Sequence, residues 1–150
     1  MYQKYREYFK LNKNILIAFT ASITISAVIA HILSEQADYL NTTYTLIVDY
    51  VVYFSTFGAL YYTDNRKKYL LKSGQIDKKR LQHDLIKILT SLGIAEVIYT
   101  IIRWTLQYYL LTTDYDAYLA SIVSQVISTI IYMIVVNLSV KMTRLYKNEN

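Results

Sequence analysis

The chain of 150 residues has no cysteine and no proline, and only three glycines and two histidines. Without Cys there can be no disulfide, no thiolate metal site and no cysteine nucleophile. Without Pro, nothing removes a backbone donor from the middle of a segment, a composition that suits long uninterrupted helices better than a loop-rich soluble domain. The glycines Gly58, Gly74 and Gly93 are too scattered to form a phosphate-binding loop, and no Ser-His-Asp arrangement can be assembled. A chain of this length holds one domain, with no room for a soluble catalytic domain beside a helical bundle. An enzyme is not expected, nor any cofactor.

What the chain has in abundance is apolar sequence, 54% of residues, and 17 tyrosines. A helix needs roughly 20 mostly apolar residues to cross a hydrocarbon core of about 30 Å. Four stretches are read this way: 14–34 without a charge, 40–63 with Asp49, 88–111 with Glu96 and Arg103, and 117–140 without a charge. A chain in lipid must satisfy its own backbone hydrogen bonds, so these are helices, and the short alternating segments of a transmembrane barrel do not occur. The reading is an all-α integral membrane bundle of four transmembrane helices in a single domain, with 64–87 as a long loop.

Charge placement orients it. The segment before the first span carries Lys4, Arg6, Lys10 and Lys13. The central loop carries Arg66, Lys67, Lys68, Lys72, Lys78, Lys79, Arg80 and Lys87, and the tail carries Lys141, Arg144 and Lys147. The other two loops hold no Lys or Arg, only Glu35, Asp38, Asp114 and Asp116. Fifteen of the sixteen basic residues thus fall on one side, which the positive-inside rule makes cytoplasmic, with both termini there. The net charge of +5 is a topology signal and no nucleic-acid partner is expected. The basic start is too weakly followed by a cleavage site to be a signal peptide, and its long apolar run is read as a retained first span. A cell (plasma) membrane, multi-pass, is the expected location.

In the central loop, Ser73-Gly74 reads as a break and Asp77 as the N-cap of a helix that starts in the cytoplasm and continues into span three. With Arg66, Lys67, Lys68, Lys78, Lys79 and Arg80 it offers a basic surface suited to anionic lipid headgroups, and the lone His83 on it is a solvated residue. Residues 2–11 interleave Tyr2, Tyr5, Tyr8 and Phe9 with basic side chains, as an amphipathic helix at the inner leaflet does. Tyr39, Tyr44, Tyr61, Tyr62, Tyr108, Tyr109, Tyr115 and Tyr118 fall at span ends and read as interfacial anchors. His31 and His83 lie on opposite faces and cannot share a metal.

Ionisable groups at membrane depth are costly and normally face protein, which singles out Asp49, Glu96 and Arg103. At 1.5 Å per residue, Asp49 and Arg103 lie at the same level below the outer surface, and Gln125 of span four lies close to that level. This predicts an Asp49–Arg103 ion pair in the outer half of the membrane, completed by Gln125. Glu96 shares a face with Arg103 two turns away and needs another partner, with the hydroxyls of Ser55, Thr56, Tyr99 and Ser128, or a proton of its own, as candidates. Ala18, Ser22, Ser26, Ala117, Ser121, Ser124 and Ser128 are small enough to let helices approach closely.

Residues 53–69 (YFSTFGALYYTDNRKKY) and 118–146 (YLASIVSQVISTIIYMIVVNLSVKMTRLY) close spans two and four with aromatic, Asn and basic residues. In this, and in its four-span layout with short outer loops, the chain resembles the GtrA-like small membrane proteins. That resemblance implies a carrier or flippase for a polyprenyl-linked sugar or another small substrate. The chain departs from the family pattern in lacking a Gly-rich first span and in its longer central loop and charged third span. The residues themselves favour a non-catalytic accessory or structural subunit of a larger membrane complex, whose partners are the bilayer and other membrane subunits or further copies of itself.

Overall fold

The computed structural model describes residues 2–143. Arg144 and Lys147 of the basic tail, and the side chains of Tyr2, Lys4, Tyr5 and Lys141, lie outside the described residues. Five helices follow in order: α1 Tyr2–Ile32, α2 Asp38–Tyr69, α3 Lys78–Ser91, α4 Gly93–Thr112 and α5 Ala117–Thr143. The described part is all-α apart from an isolated bridge between Leu70 and Ile76.

Two segments are long and apolar enough to cross a membrane, Tyr8–Ile32 in α1 and Ala117–Ser139 in α5; α3 and α4 taken together pass as a third, bent by 61°. Four equivalent spans are therefore not found. α2 has ample length, but Asp38, Asn41, Thr42, Thr45 and Asp49 dilute its N-terminal half. The expected continuous third helix is interrupted at Leu92. There the amide of Leu92 is shared between the carbonyls of Ile88 and Leu89, and the Ser91 hydroxyl bonds back to the carbonyls of Lys87 and Ile88. A back-bonding Ser followed by Gly93 is a recognised cause of a sharp helix bend.

α1 packs on α2 and α5, and α4 packs on α5 and α2, closing a four-membered ring; α3 leans on α2 and α4. Neighbours in the ring are antiparallel, since Ser22 of α1 meets Asp49 of α2, Asn41 of α2 meets Gln107 of α4, and Glu96 of α4 meets Tyr132 of α5. Each helix turns a stripe with a repeat near four residues inward: Asn41, Thr45, Asp49, Tyr53 and Phe57 on α2, and Ala95, Tyr99, Arg103 and Gln107 on α4. Ala18, Ser22, Ser26, Ala117, Ser121, Ser124 and Ser128 are all buried at the contacts.

The distribution is inverted relative to a water-soluble bundle. The interior holds Asp49, Arg103, Gln107 and Gln125 with a row of Ser and Thr. Ile, Val and Leu side chains stand exposed on every helix, among them Val28, Ile47, Val51, Ile94, Val97, Ile101, Ile130 and Ile134. Apolar surface of this extent suits a hydrocarbon surround.

Candidate functional site

Asp49 sits where all four ring helices meet. Its Oδ1 accepts from the Ser22 hydroxyl of α1 at 2.7 Å and from the Gln125 amide of α5 at 2.8 Å. Its Oδ2 accepts from the Tyr99 hydroxyl of α4 and lies 3.7 Å from Nε of Arg103. The Gln125 amide also reaches the Ser22 hydroxyl at 2.6 Å, so Ser22, Asp49 and Gln125 form a closed triangle.

Arg103 is fully buried and distributes its remaining donors away from Asp49. Nη1 donates to Oε1 of Gln107 and to the Ser124 hydroxyl at 2.7 Å, and Nη2 donates to the Ser121 hydroxyl at 3.1 Å. Nε makes no hydrogen bond; it faces Asp49 as a charge. Gln107 continues outward to Asn41 at 3.2 Å, and Asn41 donates to the carbonyls of Ala30 and Leu33, closing the last turn of α1. Thr45, Ser124 and Ser128, which line this column, send their protons to carbonyls one turn back, those of Asn41, Ala120 and Ser124.

The structure thus brings Asp49, Arg103 and Gln125 together and leaves Glu96 outside their cluster. With α4 beginning at Gly93, Arg103 is near the middle of a helix of 20 residues, about 30 Å long.

Below the cluster lies an aromatic layer. Phe19 packs on Tyr53, Tyr99 and Tyr132 with ring centroids 4.5 to 5.2 Å apart, and Tyr53 stacks on Phe57. Glu96 lies at the edge of this layer. None of Ser55, Thr56, Tyr99 or Ser128 is its partner: the Tyr132 hydroxyl donates to Oε1 of Glu96 at 2.7 Å and is linked to the Tyr53 hydroxyl at 3.3 Å. Tyr99 is occupied by Asp49 and Ser128 by a carbonyl. Tyr50 closes the α2–α4 seam beside Glu96 through the Thr100 hydroxyl and the Glu96 carbonyl.

The sequence reading gave Tyr99 only as a candidate partner of Glu96 and Ser22 only as a small packing residue, and it assigned no site role to Tyr132, Gln107 or Asn41. The available signal was spacing: Tyr99, Arg103 and Gln107 recur every four residues on one helix, as do Asn41, Thr45, Asp49 and Tyr53.

At the end of the ring opposite Asn41, Asp64 of α2 ties down α1 through Asn14 at 3.0 Å and Lys13 at 3.4 Å. Asp84 of α3 takes Lys68 at 2.5 Å and the buried Tyr69 hydroxyl at 2.7 Å, and Tyr69 is linked in turn to Tyr61 at 3.1 Å. Burial alone would raise the Asp84 pKa, but the hydrogen bonds from Lys68 and Tyr69 and the charges of Lys68 and Arg80 outweigh it and hold it below the ordinary value. Tyr69 is pushed up, by burial first and then by its bonds to Tyr61 and Asp84. Arg66, Lys67, Lys78, Lys79 and Arg80 are exposed around this clasp.

Comparison with family models, curated proteins and solved structures finds no match to this chain.

Proposed function

We propose that the chain is a non-catalytic, multi-pass membrane protein of the cell membrane, with both termini cytoplasmic, that serves as a small structural subunit of a larger membrane assembly. The observation that carries this reading is the saturation of Asp49 by groups from all three other ring helices. A carboxylate so enclosed is a cross-brace, and it leaves no open position for a substrate. The aromatic layer beneath it supports the same conclusion, since Phe19 stands in the middle of the column and offers no hydrogen bond.

What remains for recognition is the outer surface. The outward Ile47 and Val51 of α2 and Ile94, Val97 and Ile101 of α4 support a reading in which these two helices also cross the bilayer, despite the polar groups on their inner faces. The basic loop on the α2–α4 side, and the lack of any Lys or Arg in the two short loops, which carry only Glu35, Asp38, Asp114 and Asp116, support the orientation.

The second reading, a carrier of the GtrA-like kind, draws on Glu96, which is half-buried at the α2–α4–α5 seam with one side-chain hydrogen bond. Native mass spectrometry of the protein extracted from its own membrane in mild detergent separates the two. Foreign subunits at fixed stoichiometry are expected. A homo-oligomer that retains a lipid-linked sugar would overturn the structural role.

A further inference from the structure

We infer that α3 and the loop before it form a foot that binds the phosphodiester headgroups of anionic phospholipids at the inner surface of the bilayer. The inference rests on the membrane orientation proposed above.

The first support is geometric. α4, at about 30 Å, matches the hydrocarbon core, which places its start at Gly93 at the inner edge of that core. α3 leaves that point at 61° to α4. Its 14 residues span about 21 Å, so it descends only about 10 Å from the edge. The headgroup layer is about 5–8 Å thick on each side, so most of α3 runs obliquely through it and only its first turn or so reaches beyond. α2 arrives at the same level independently: Tyr69 lies six residues, about 9 Å, past the end of the expected span at Thr63.

The second support is chemical. The loop is a closed structure in which Leu71 N–H donates to the Gln75 carbonyl, Gly74 N–H donates to the Leu71 carbonyl, and Asp77 N–H donates to the Tyr69 carbonyl. Gly74 provides the left-handed backbone, φ +78°, that the tight return requires. Held this way, Leu70, Leu71 and Ile76 are exposed, as is Ile86 on the flank of α3. Apolar side chains displayed on a closed loop are suited to a boundary between water and acyl chains.

Around them stand Arg66, Lys67, Lys72, Lys78, Lys79 and Lys87, which have no carboxylate partner among the described residues. The acids that could neutralise them are committed. Asp77 caps the Arg80 amide at 3.0 Å and Asp84 is held by Lys68 and Tyr69. The result is a cluster of free ammonium and guanidinium groups mixed with exposed aliphatic side chains, which is complementary to an anionic headgroup layer.

The absence of native cysteine makes the test direct. Single cysteines at Leu71, Ile86 and Val97 are labelled with a small fluorophore in the full-length protein, reconstituted in phosphatidylcholine vesicles with or without about one third phosphatidylglycerol. Nitroxide lipids labelled at the headgroup, or along the acyl chain, serve as quenchers. Labels at 71 and 86 should be quenched by headgroup nitroxides more strongly in anionic vesicles, and K72Q/K78Q/K79Q/R80Q should abolish that difference. Position 97 should be quenched by acyl-chain nitroxides in all of them. If 97 is quenched while 71 and 86 stay aqueous in anionic vesicles, the foot is refuted and the loop is left for a protein partner. Failure of quenching at 97 would instead refute the membrane orientation.

Discussion

Asp49 and Arg103 form an ion pair removed from water, and such a pair is held by the hydrogen bonds around it as much as by its own attraction. Ser22, Tyr99 and Gln125 satisfy the carboxylate, while Gln107, Ser121 and Ser124 satisfy the guanidinium. Removing one charge strands the other, so Asp49→Asn and Arg103→Leu should each lower the unfolding free energy by about 3–5 kcal/mol. The double variant should lose less than the sum, by at least about 1 kcal/mol. Denaturant titration in mixed micelles, followed by circular dichroism, measures all four corners of the cycle, and additive losses would show that the two charges do not act together. The pairing itself was legible because depth in a membrane is simple arithmetic on residue number. Glu96 was not, because its partner Tyr132 is one of 17 tyrosines and carries no charge that would mark it as the group a carboxylate needs. Nothing in the sequence distinguishes a tyrosine that anchors at the surface from one that turns its hydroxyl inward.

At the scale of the element, α3 is held to the bundle by a clasp of Lys68, Tyr69 and Asp84 whose two acidic groups define a pH window. Asp84 is depressed below 3.8, so its contribution is present above that value and is lost as the pH falls through the folded-state pKa. Tyr69 is raised above 10.0, so its contribution is complete below that value and is lost as the pH rises. Asp84→Asn should therefore speed amide hydrogen exchange in α3 several-fold near neutral pH while leaving α5 unchanged. The unmodified protein should show the same selective loosening below the carboxylate range, once rates are corrected for intrinsic exchange. Unchanged protection of α3 in the variant would remove the clasp from this account. The start of α3 was readable from Asp77, a short polar acceptor ahead of a helical run. Its end was not: Leu92 lies inside an apolar stretch, and the bend depends on how one Ser side chain divides its hydrogen bonds.

For the whole molecule, run length and the one-sided placement of basic residues conveyed an all-α chain suited to lipid, and the burial of the small residues on α1 and α5 followed from the same reading. What they overstated was the equivalence of the four segments. α1 and α5 carry no charged residue in their central parts and contribute only Ser, Thr and Gln125 as buried polar residues there, whereas α2 and α4 carry the charged groups that fill the middle. Hydropathy averages over all faces of a helix, so an inward polar stripe lowers the score of a segment whose outward face is as apolar as any other.

That division has a consequence for biosynthesis. A lone helix with Arg at its centre inserts at a penalty of about 2.5–3.5 kcal/mol, so α4 by itself should be retained poorly, whereas α1 should insert alone. α2 emerges after α1 and finds Ser22 already waiting for Asp49. Arg103 has fewer companions at that moment, because Ser121 and Ser124 are synthesised after it, and besides Gln107 of its own helix it can lean on an earlier helix only through Asp49. In glycosylation mapping with microsomes, α4 should integrate efficiently when α2 or α5 is present on the same nascent chain and poorly when neither is; equal integration in every context would sink the idea. The residue that braces the finished bundle is thereby also the one that receives the second half of the chain while it is still being made.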